Sequence, residues 1–465
     1  MEAKPPIGGL ASKFSHFFMQ TYKIPNIHNE KIILALGAES AGNFSLWKDG
    51  IINFSEDFGD LTNEQNFSNF KVALLKFLKN QKIKPDIILS DLHPLFETTK
   101  LAQKLAKKYK AEYLPVQHHF AHVFSAVGDE VVELGTWSME QKLISTIQYT
   151  SYKIPHTILG VACDGTGLGT DGKIWGGEVF TMTNSQKTTN NKTQNSKLQI
   201  TRIGHLENQI LLGGEMAIQE PARMLIAILF KISNAAKKFP LCHSGLDPES
   251  SKSHEIKMGL DSHFHGNDTN VKIEKQKKII FSYIKKYYTP NEFEVLWKQL
   301  EQNFNCLETS STARVLDAVS VLLGFSNNER LSKHGPIALL EKNSTKSYLN
   351  LNPKITTYNI QNTRYGILDT TYLFEYLIKN LDRDKARLAA TAQKYIADGM
   401  LKIVQQFTVN SSQKHSAKIF AAGGMMNNKI ISEIMEKQGF YLNKKIPRGD
   451  AGISFGQIIF YLLTK

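Results

Sequence analysis

The chain has 465 residues, 42% hydrophobic and 21% charged, the composition of a soluble globular protein long enough for two or more lobes around a large core. Three cysteines without a CxxC spacing exclude a disulfide framework and favour a reducing cytoplasm; no run of about 18 apolar residues offers a membrane span, and the opening MEAKPPIGGLASKF lacks the apolar core of a secretory signal. The formal net charge of +13 raises nucleic acid as a partner, but the lysines are scattered through helical segments in short runs such as KLAKKYK and KQKK, and read as diffuse surface charge.

In chain order, residues 1–30 lack periodicity and are expected to form a loose arm. KIILALG reads as a strand, NFSLWKDGIINFSEDF as a hairpin turning at Lys48-Asp49-Gly50, and EQNFSNFKVALLKFLKN as a helix. PDIILSDL is then a strand, TTKLAQKLAKKYK a helix and EYLPV another strand, an alternation that predicts an α/β layer. The apolar run Ile158, Leu159, Val161, Ala162 reads as a buried strand that delivers Asp164 at its end. Two stretches break the pattern. NSQKTTNNKTQNSK at 184–197 is a polar hairpin tip, and residues of about 235–275 look like a translated repeat element, whose His243, His254, His263 and His265 belong to a solvated insert rather than a metal site. After them, STARVLDAVSVLLGF has the spacing of a buried helix, KIFAAGGMMNNKIISEIMEKQGFYL reads strand, Gly-Gly turn, helix, strand, and DAGISFGQIIFYLL is a closing helix. A second α/β layer follows from these.

Chemistry is concentrated in three kinds of feature. In VQHHFAHVF, His118 and His122 stand one helical turn apart, so both imidazoles can reach one ion while His119 points elsewhere; the bland alternative is a histidine pair packed at a helix N-terminus. The acids Asp164 and Asp450 complete a donor set that suits divalent iron, zinc or manganese. After Asp164, the glycines of DGTGLG open backbone N–H groups to an anion such as phosphate, or else form a Gly-rich hairpin with Asp164 as a turn residue. The pairs Gly213-Gly214 and Gly423-Gly424, with Asn427 beside the second, offer bare backbone to a base or ribose, or simply turn a strand into a helix. Cys163, abutting Asp164 in the buried strand, reads as a small core residue.

Taken together, ILALGAES, SDLHPLFETTKLAQKLA, VQHHFAHVFSA, DGTGLGTDGKIWGGEVF, GGEMAIQEPARM, TSSTARVLDAVSVLLG, AAGGMMNN and GDAGISFGQ resemble, in order, the motifs of the C-terminal carbamoyltransferase domain of the HypF family of [NiFe]-hydrogenase maturation proteins. The resemblance runs from about residue 31 to the C-terminus. It implies an α/β chain with the actin/hexokinase/Hsp70-like (ASKHA) fold, two ribonuclease-H-like lobes clasping a nucleotide: lobe I at 31–155, and lobe II at 156–465 with the closing helix. It also implies a carbamoyltransferase that uses carbamoyl-adenylate, made from ATP and leaving AMP, with a HypE-type protein as acceptor. His118, His122, Asp164 and Asp450 match the family's metal site, with magnesium able to accompany the nucleotide. Gly165, Thr166 and Gly167 match its phosphate loop; Gly213, Gly214, Gly423, Gly424 and Asn427 match turns lining the nucleoside, and Asp317 a position near the ribose. Similar domains act on small-molecule hydroxyls or, in the TsaD family, in tRNA modification, and the alternative from another class is a degenerate nucleotide-binding module without activity.

The departures are specific. Complete HypF chains begin with acylphosphatase-like, zinc-finger and YrdC-like domains that do not fit in residues 1–30, so a separate YrdC-like protein is expected to activate carbamoyl phosphate. Ala41 stands where relatives often carry lysine, Ala313 for glycine, Ala422 for serine and Glu215 for aspartate. Losing a direct lysine–phosphate contact at position 41 would weaken nucleotide binding by about 1–3 kcal/mol.

Overall fold

The computed structural model describes residues 18–25, 27, 29–141, 157–184, 188–189, 192–193, 198–235, 267–360, 363–409 and 417–465. The histidines His243, His254, His263 and His265, and the expected arm at 1–17, lie outside the described residues. The first sheet contains β1 (Met19–Lys23), β2 (Ile33–Ala35), β3 (Ser45–Lys48), β4 (Ile51–Ser55), β5 (Ile87–Asp91) and β6 (Glu112–Val116). Their order is β1-β4-β3-β2-β5-β6, antiparallel as far as β2 and parallel from β2 to β6. Asp49 and Gly50 both take positive φ, which closes the β3–β4 hairpin at the expected turn. The arm was expected to be loose throughout, yet Met19–Lys23 pairs with β4 and Tyr22 sets its ring against Phe455; an edge strand held by backbone bonds on one side needs little hydrophobic periodicity of its own.

Side chains of this sheet alternate between two cores because successive residues of a strand point to opposite faces. Leu34, Leu46 and Ile88 pack under α1 (Glu64–Asn80) and α2 (Glu97–Tyr109). Ile33, Ala35, Trp47, Ile87 and Leu89 face a second cluster that also holds Val123, Phe124, Phe455 and Ile458. Those last residues come from α3 (His118–Gln141) and α13 (Ile453–Thr464), two helices that pack on each other as a layer between the sheets.

The second half of the chain runs β7 (Thr157–Leu168), β8 (Ile174–Asn184), β9 (Thr188–Thr189), β10 (Lys192–Thr193), β11 (Leu198–Leu206), β12 (Gln209–Leu212), α4 (Met216–Gln219), α5 (Ala222–Ala235), α6 (Asn267–Ile284) and α7 (Pro290–Glu301). It continues with β13 (Cys306–Thr309), α8 (Thr312–Leu323), α9 (Gly335–Lys342), β14 (Ile355–Ile360), β15 (Thr363–Leu368), α10 (Thr370–Lys379), α11 (Lys385–Val409), β16 (Lys418–Ala422) and α12 (Lys429–Lys437), before α13. Here β11, β8 and β7 pair antiparallel, β16 joins β7 parallel, and Phe420 of β16 bridges Tyr441 in parallel. This repeats the order β4-β3-β2-β5-β6 of the first sheet, the duplication expected of two ribonuclease-H-like lobes.

Two boundaries differ from the sequence reading. The closing helix α13, placed with the second lobe by chain order, packs against β2, β3 and β5 of the first sheet, while α3 packs against β7 and β16 of the second. The insert expected at 235–275 ends earlier, because α6 starts at Asn267, and Ile280 and Ile284 anchor that helix in the core. The expected hairpin tip at 184–197 contains a short antiparallel ladder of Thr188 and Thr189 with Thr193 and Lys192.

Candidate metal and anion site

Strand β6 ends at Val116, and Gln117 leads straight into α3, so His118 is the first helical residue and His122 sits one turn later on the same face. Both are buried, with Nε2 atoms 3.2 Å apart. Strand β7 brings Asp164 to them: its Oδ2 is 3.2 Å from each Nε2. From the far end of the chain, Asp450 places Oδ1 3.6 Å from His118 Nε2 and 3.4 Å from His122 Nε2. One ligand atom from each of the four residues lies within 4.8 Å of all the others.

This set fits a divalent ion. Ligands bonded at about 2.0–2.2 Å around a tetrahedral centre lie roughly 3.3–3.6 Å from one another, and the imidazole separations here run from 3.2 to 3.6 Å. Two neutral imidazoles and two carboxylates suit zinc, iron or manganese. The groups also shift each other's protonation. Burial works against the His118 imidazolium, but Asp91, Asp164 and Asp450 overcome it and raise its pKa well above the usual histidine value. Burial likewise opposes the His122 imidazolium, and Asp164 outweighs it to raise that pKa. Burial and mutual repulsion would push the two acids up, yet the imidazoles, and Lys333 for Asp450, hold both well below the usual carboxylate range.

Each acid is held from behind. Oδ1 of Asp164 accepts from Gly424 N at 2.9 Å, while Ser311 Oγ donates to the carbonyls of Asp164, at 3.4 Å, and of Gly165. Asp450 Oδ2 accepts from Ser40 and pairs with Lys333 Nζ at 3.0 Å; that same Nζ donates to Ser40 O at 3.1 Å. Gly423 is required by geometry: its φ is +101°, and a Cβ there would stand 2.3 Å from the Cys163 carbonyl oxygen. Gly167 is required by space, since a Cβ would stand 2.7 Å from His119 Cε1 and 2.9 Å from His118 Cδ2.

The predicted residues divide clearly. His118, His122, Asp164 and Asp450 converge, with Gly423 and Gly424 against Asp164. Gly165, Thr166 and Gly167 do not form a loop after the strand; they lie within β7, at an irregularity of the β7–β8 ladder between Cys163 and Gly167. The hairpin reading was therefore right about the ladder, and Asp164 is a buried strand residue rather than a turn residue. Asn427 is exposed, near Gly449. His119 is tied to Gln117, whose Nε2 lies 3.0 Å from its Nδ1, and stays out of the quartet. Cys163 is fully buried, and burial pushes its thiol up to about 12.

Two further expectations concern residues outside the quartet. Gly213 and Gly214, expected to line a nucleoside, follow a strand in which Leu212 pairs with Cys306 and Gln209 with Thr309. That antiparallel register puts the glycine turn beside Asn305, at the end of β13 away from Ser311 and Asp164, roughly 10 Å further along the strand. Asp317 was expected near a ribose; it is buried, with Oδ2 3.0 Å from Arg314 Nη1 and 3.1 Å from Arg330 Nη1. Burial lifts its pKa to about 6 against the pull of Arg314.

Several residues at the site escaped the sequence reading. Asp91 Oδ2 lies 2.7 Å from His118 Nδ1, behind the ring, and its Oδ1 accepts from His93 N at 2.9 Å. Its signal was available, because Asp91 ends the apolar strand IILSD as Asp164 follows ILGVAC. Lys333 had none: it stands in an irregular segment before α9, and it puts a cation beside the first loop, where Ala41 is buried.

Two family models match the chain: one described as the HypF Kae1-like domain covers residues 28–129, and one described as the carbamoyltransferase Kae1-like domain, second subdomain, covers residues 160–457. The chain is 33% identical over 453 residues to a probable carbamoyltransferase HypF of Methanocaldococcus jannaschii, covering 94% of this chain and 47% of that protein. It is 24% identical over 449 residues to a carbamoyltransferase HypF homolog of Cupriavidus necator, covering 94% of this chain and 93% of the homolog. The chain thus spans about half the length of the first relative and nearly all of the second. Its fold is shared with a crystal structure of full-length HypF in the phosphate- and nucleotide-bound form, at TM-score 0.69 and 21% identity over 95% of this chain and 47% of that one. It is likewise shared with the crystal structure of T. kodakarensis HypF, at TM-score 0.67 and 24% identity over 97% of this chain and 49% of that one.

Proposed function

Because the chain belongs to the HypF carbamoyltransferase family, in its Kae1-like domain, we propose that it transfers a carbamoyl group from carbamoyl-adenylate to an acceptor, the C-terminal cysteine thiol of a HypE-type protein. The observation that carries this reading is the convergence of His118, His122, Asp164 and Asp450 from α3, β7 and the turn before α13. These four residues would hold the divalent ion, which when bound supplies Lewis acidity and neutralises the charge of the leaving phosphate. Asp164 is kept in line by Gly424 N, and Asp450 by Ser40. Such anchoring fixes the site before substrate arrives, so little reorganisation is needed during reaction.

In the reaction, the acceptor thiolate attacks the carbamoyl carbon, a C–S bond forms, and the C–O bond to phosphate breaks with its electron pair leaving on AMP. No side chain of the chain need act as nucleophile; Cys163, buried with its thiol at about 12, is unsuited to it. The test supplies pre-formed carbamoyl-adenylate and a HypE-type C-terminal peptide to metal-loaded protein, and follows carbamoylation of the cysteine by mass spectrometry. Transfer by wild type and its loss in His118→Ala/His122→Ala are expected. Inactive metal-loaded wild type overturns the reading, and transfer to a small-molecule hydroxyl or tRNA in parallel arms reassigns the acceptor.

A further inference from the structure

The cleft side of Gly165 is bounded by a residue to which no role has been given. Arg314 sits in the first turn of α8, where its N–H donates to the capping Ser311 Oγ at 3.1 Å; the same hydroxyl donates to the Gly165 carbonyl. Its side chain is 4% exposed. An arginine stays charged at any working pH, so burying it demands compensation. The compensation here is incomplete. Asp317 Oδ2 is 3.0 Å from Arg314 Nη1 but serves Arg330 as well, at 3.1 Å, leaving one carboxylate for two guanidinium groups. Nε has no hydrogen-bond partner among the described residues and Nη1 meets Asp317 only as an ion pair, both closed off from solvent, so Nη2 is the nitrogen that faces the cleft.

Unused donors on a buried cation are costly, and native proteins tolerate them where a ligand brings the acceptor. The location fits such a ligand. Arg314 Nη2 is 4.0 Å from where a Cβ on Gly165 would stand, and no other described atom beyond the chain neighbours comes within 4 Å of that point. The residue after the Asp164 ligand position thus leaves open space whose near wall is a guanidinium. The Nη2 edge of a guanidinium that stays charged, with incomplete compensation behind it, suits the oxygen of a phosphoryl group at that wall.

We propose that Arg314, held by the Asp317 carboxylate it shares with Arg330, binds the phosphoryl oxygens of a nucleoside monophosphate in the space over Gly165. This rests on the adenylate reading of the site and assigns the residue that receives its phosphate. The test is calorimetric titration of AMP, with adenosine as the phosphate-free control, into metal-loaded wild type, Arg314→Lys and Gly165→Val. Metal content in each variant reports whether the quartet is intact. Loss of the charge-assisted fork should weaken AMP about 10- to 100-fold in Arg314→Lys and leave adenosine unchanged. Gly165→Val, which keeps Arg314 and only fills the space, should weaken AMP in the same selective way, and decides the matter if Arg314→Lys does not fold. AMP binding at wild-type strength in a folded variant, or equal losses for AMP and adenosine, overturns the assignment to Arg314 while leaving the adenylate reading intact. Wild type that binds neither ligand removes the adenylate reading and this assignment together.

Discussion

The carboxylate behind the first imidazole offers the sharpest test of the metal reading. Asp91 is buried, and its Oδ2 accepts from His118 Nδ1 at 2.7 Å, which commits the ring's lone pair to Nε2, the nitrogen that faces Asp164 and Asp450. Asp91→Asn keeps the size of the side chain and an acceptor for His93 N. Its amide, however, would donate toward His118 Nδ1, and that nitrogen must then accept. The ring proton moves to Nε2 and blocks the ligand position, so binding requires turning the amide and giving up the bond behind the ring. Outer-shell changes of this kind cost 10- to 100-fold in metal affinity, or about 1.4–2.7 kcal/mol. The assay is zinc titration into chelator-stripped protein, with a competing chelator of known affinity, at a pH where wild-type affinity is first established. Asp91→Asn that folds and binds zinc within twofold of wild type would show that Nδ1 is not set by this contact, and the argument for His118 as an ordered ligand would fail.

Other expectations follow from the same geometry. Gly423→Ala forces a residue with a side chain into the extended positive-φ region that is essentially glycine-only, at about 1–3 kcal/mol, and pushes a methyl group into the Cys163 carbonyl; it should lower the denaturant midpoint and weaken metal binding together, and an unchanged midpoint refutes the contact. Lys333→Ala removes a half-exposed cation 3.0 Å from Asp450 Oδ2, so zinc affinity should rise about threefold to tenfold at low salt, the rise shrinking as salt screens it; weaker binding would instead make Lys333 a support for the site. Burial, aided by Arg202, depresses the His205 pKa, so its folded form resists protonation. The stability it contributes is complete above the unfolded value near 6.5 and is lost as pH falls toward the folded value. The melting temperature of His205→Gln relative to wild type should therefore rise between pH 7 and pH 5, and a flat difference would mean that His205 titrates normally.

Local features were legible because they depend on neighbours within a few residues. The i,i+4 histidine pair, the hairpin at Asp49-Gly50, the helix over 64–80 and the apolar run before Asp164 stand as the spacing and turn chemistry predict. Where the reading failed, the missing information was nonlocal. Gly213-Gly214 has the composition of a ligand turn, and only the register of β12 against β13 sets it at the end of β13 away from Asp164. Asp317 carries an acid's chemistry in its letter, but burial beside two arginines makes it a brace. Residues 267–275 read as insert by composition, and only the burial of Ile280 and Ile284 further along α6 ties their helix to the core.

By itself, then, the sequence determined which segments are helices and strands, the family, and four of the residues that can hold an ion, because periodicity, turn residues and ordered motifs are properties of the chain taken in one dimension. The tertiary structure alone decided which side chains meet. Ser40 and Asp450 are 410 residues apart and share a hydrogen bond. Closing so long a separation is the work of two sheets packing across α3 and α13, and the cost of ordering that chain is offset by apolar burial throughout the core rather than by the polar contacts it brings together.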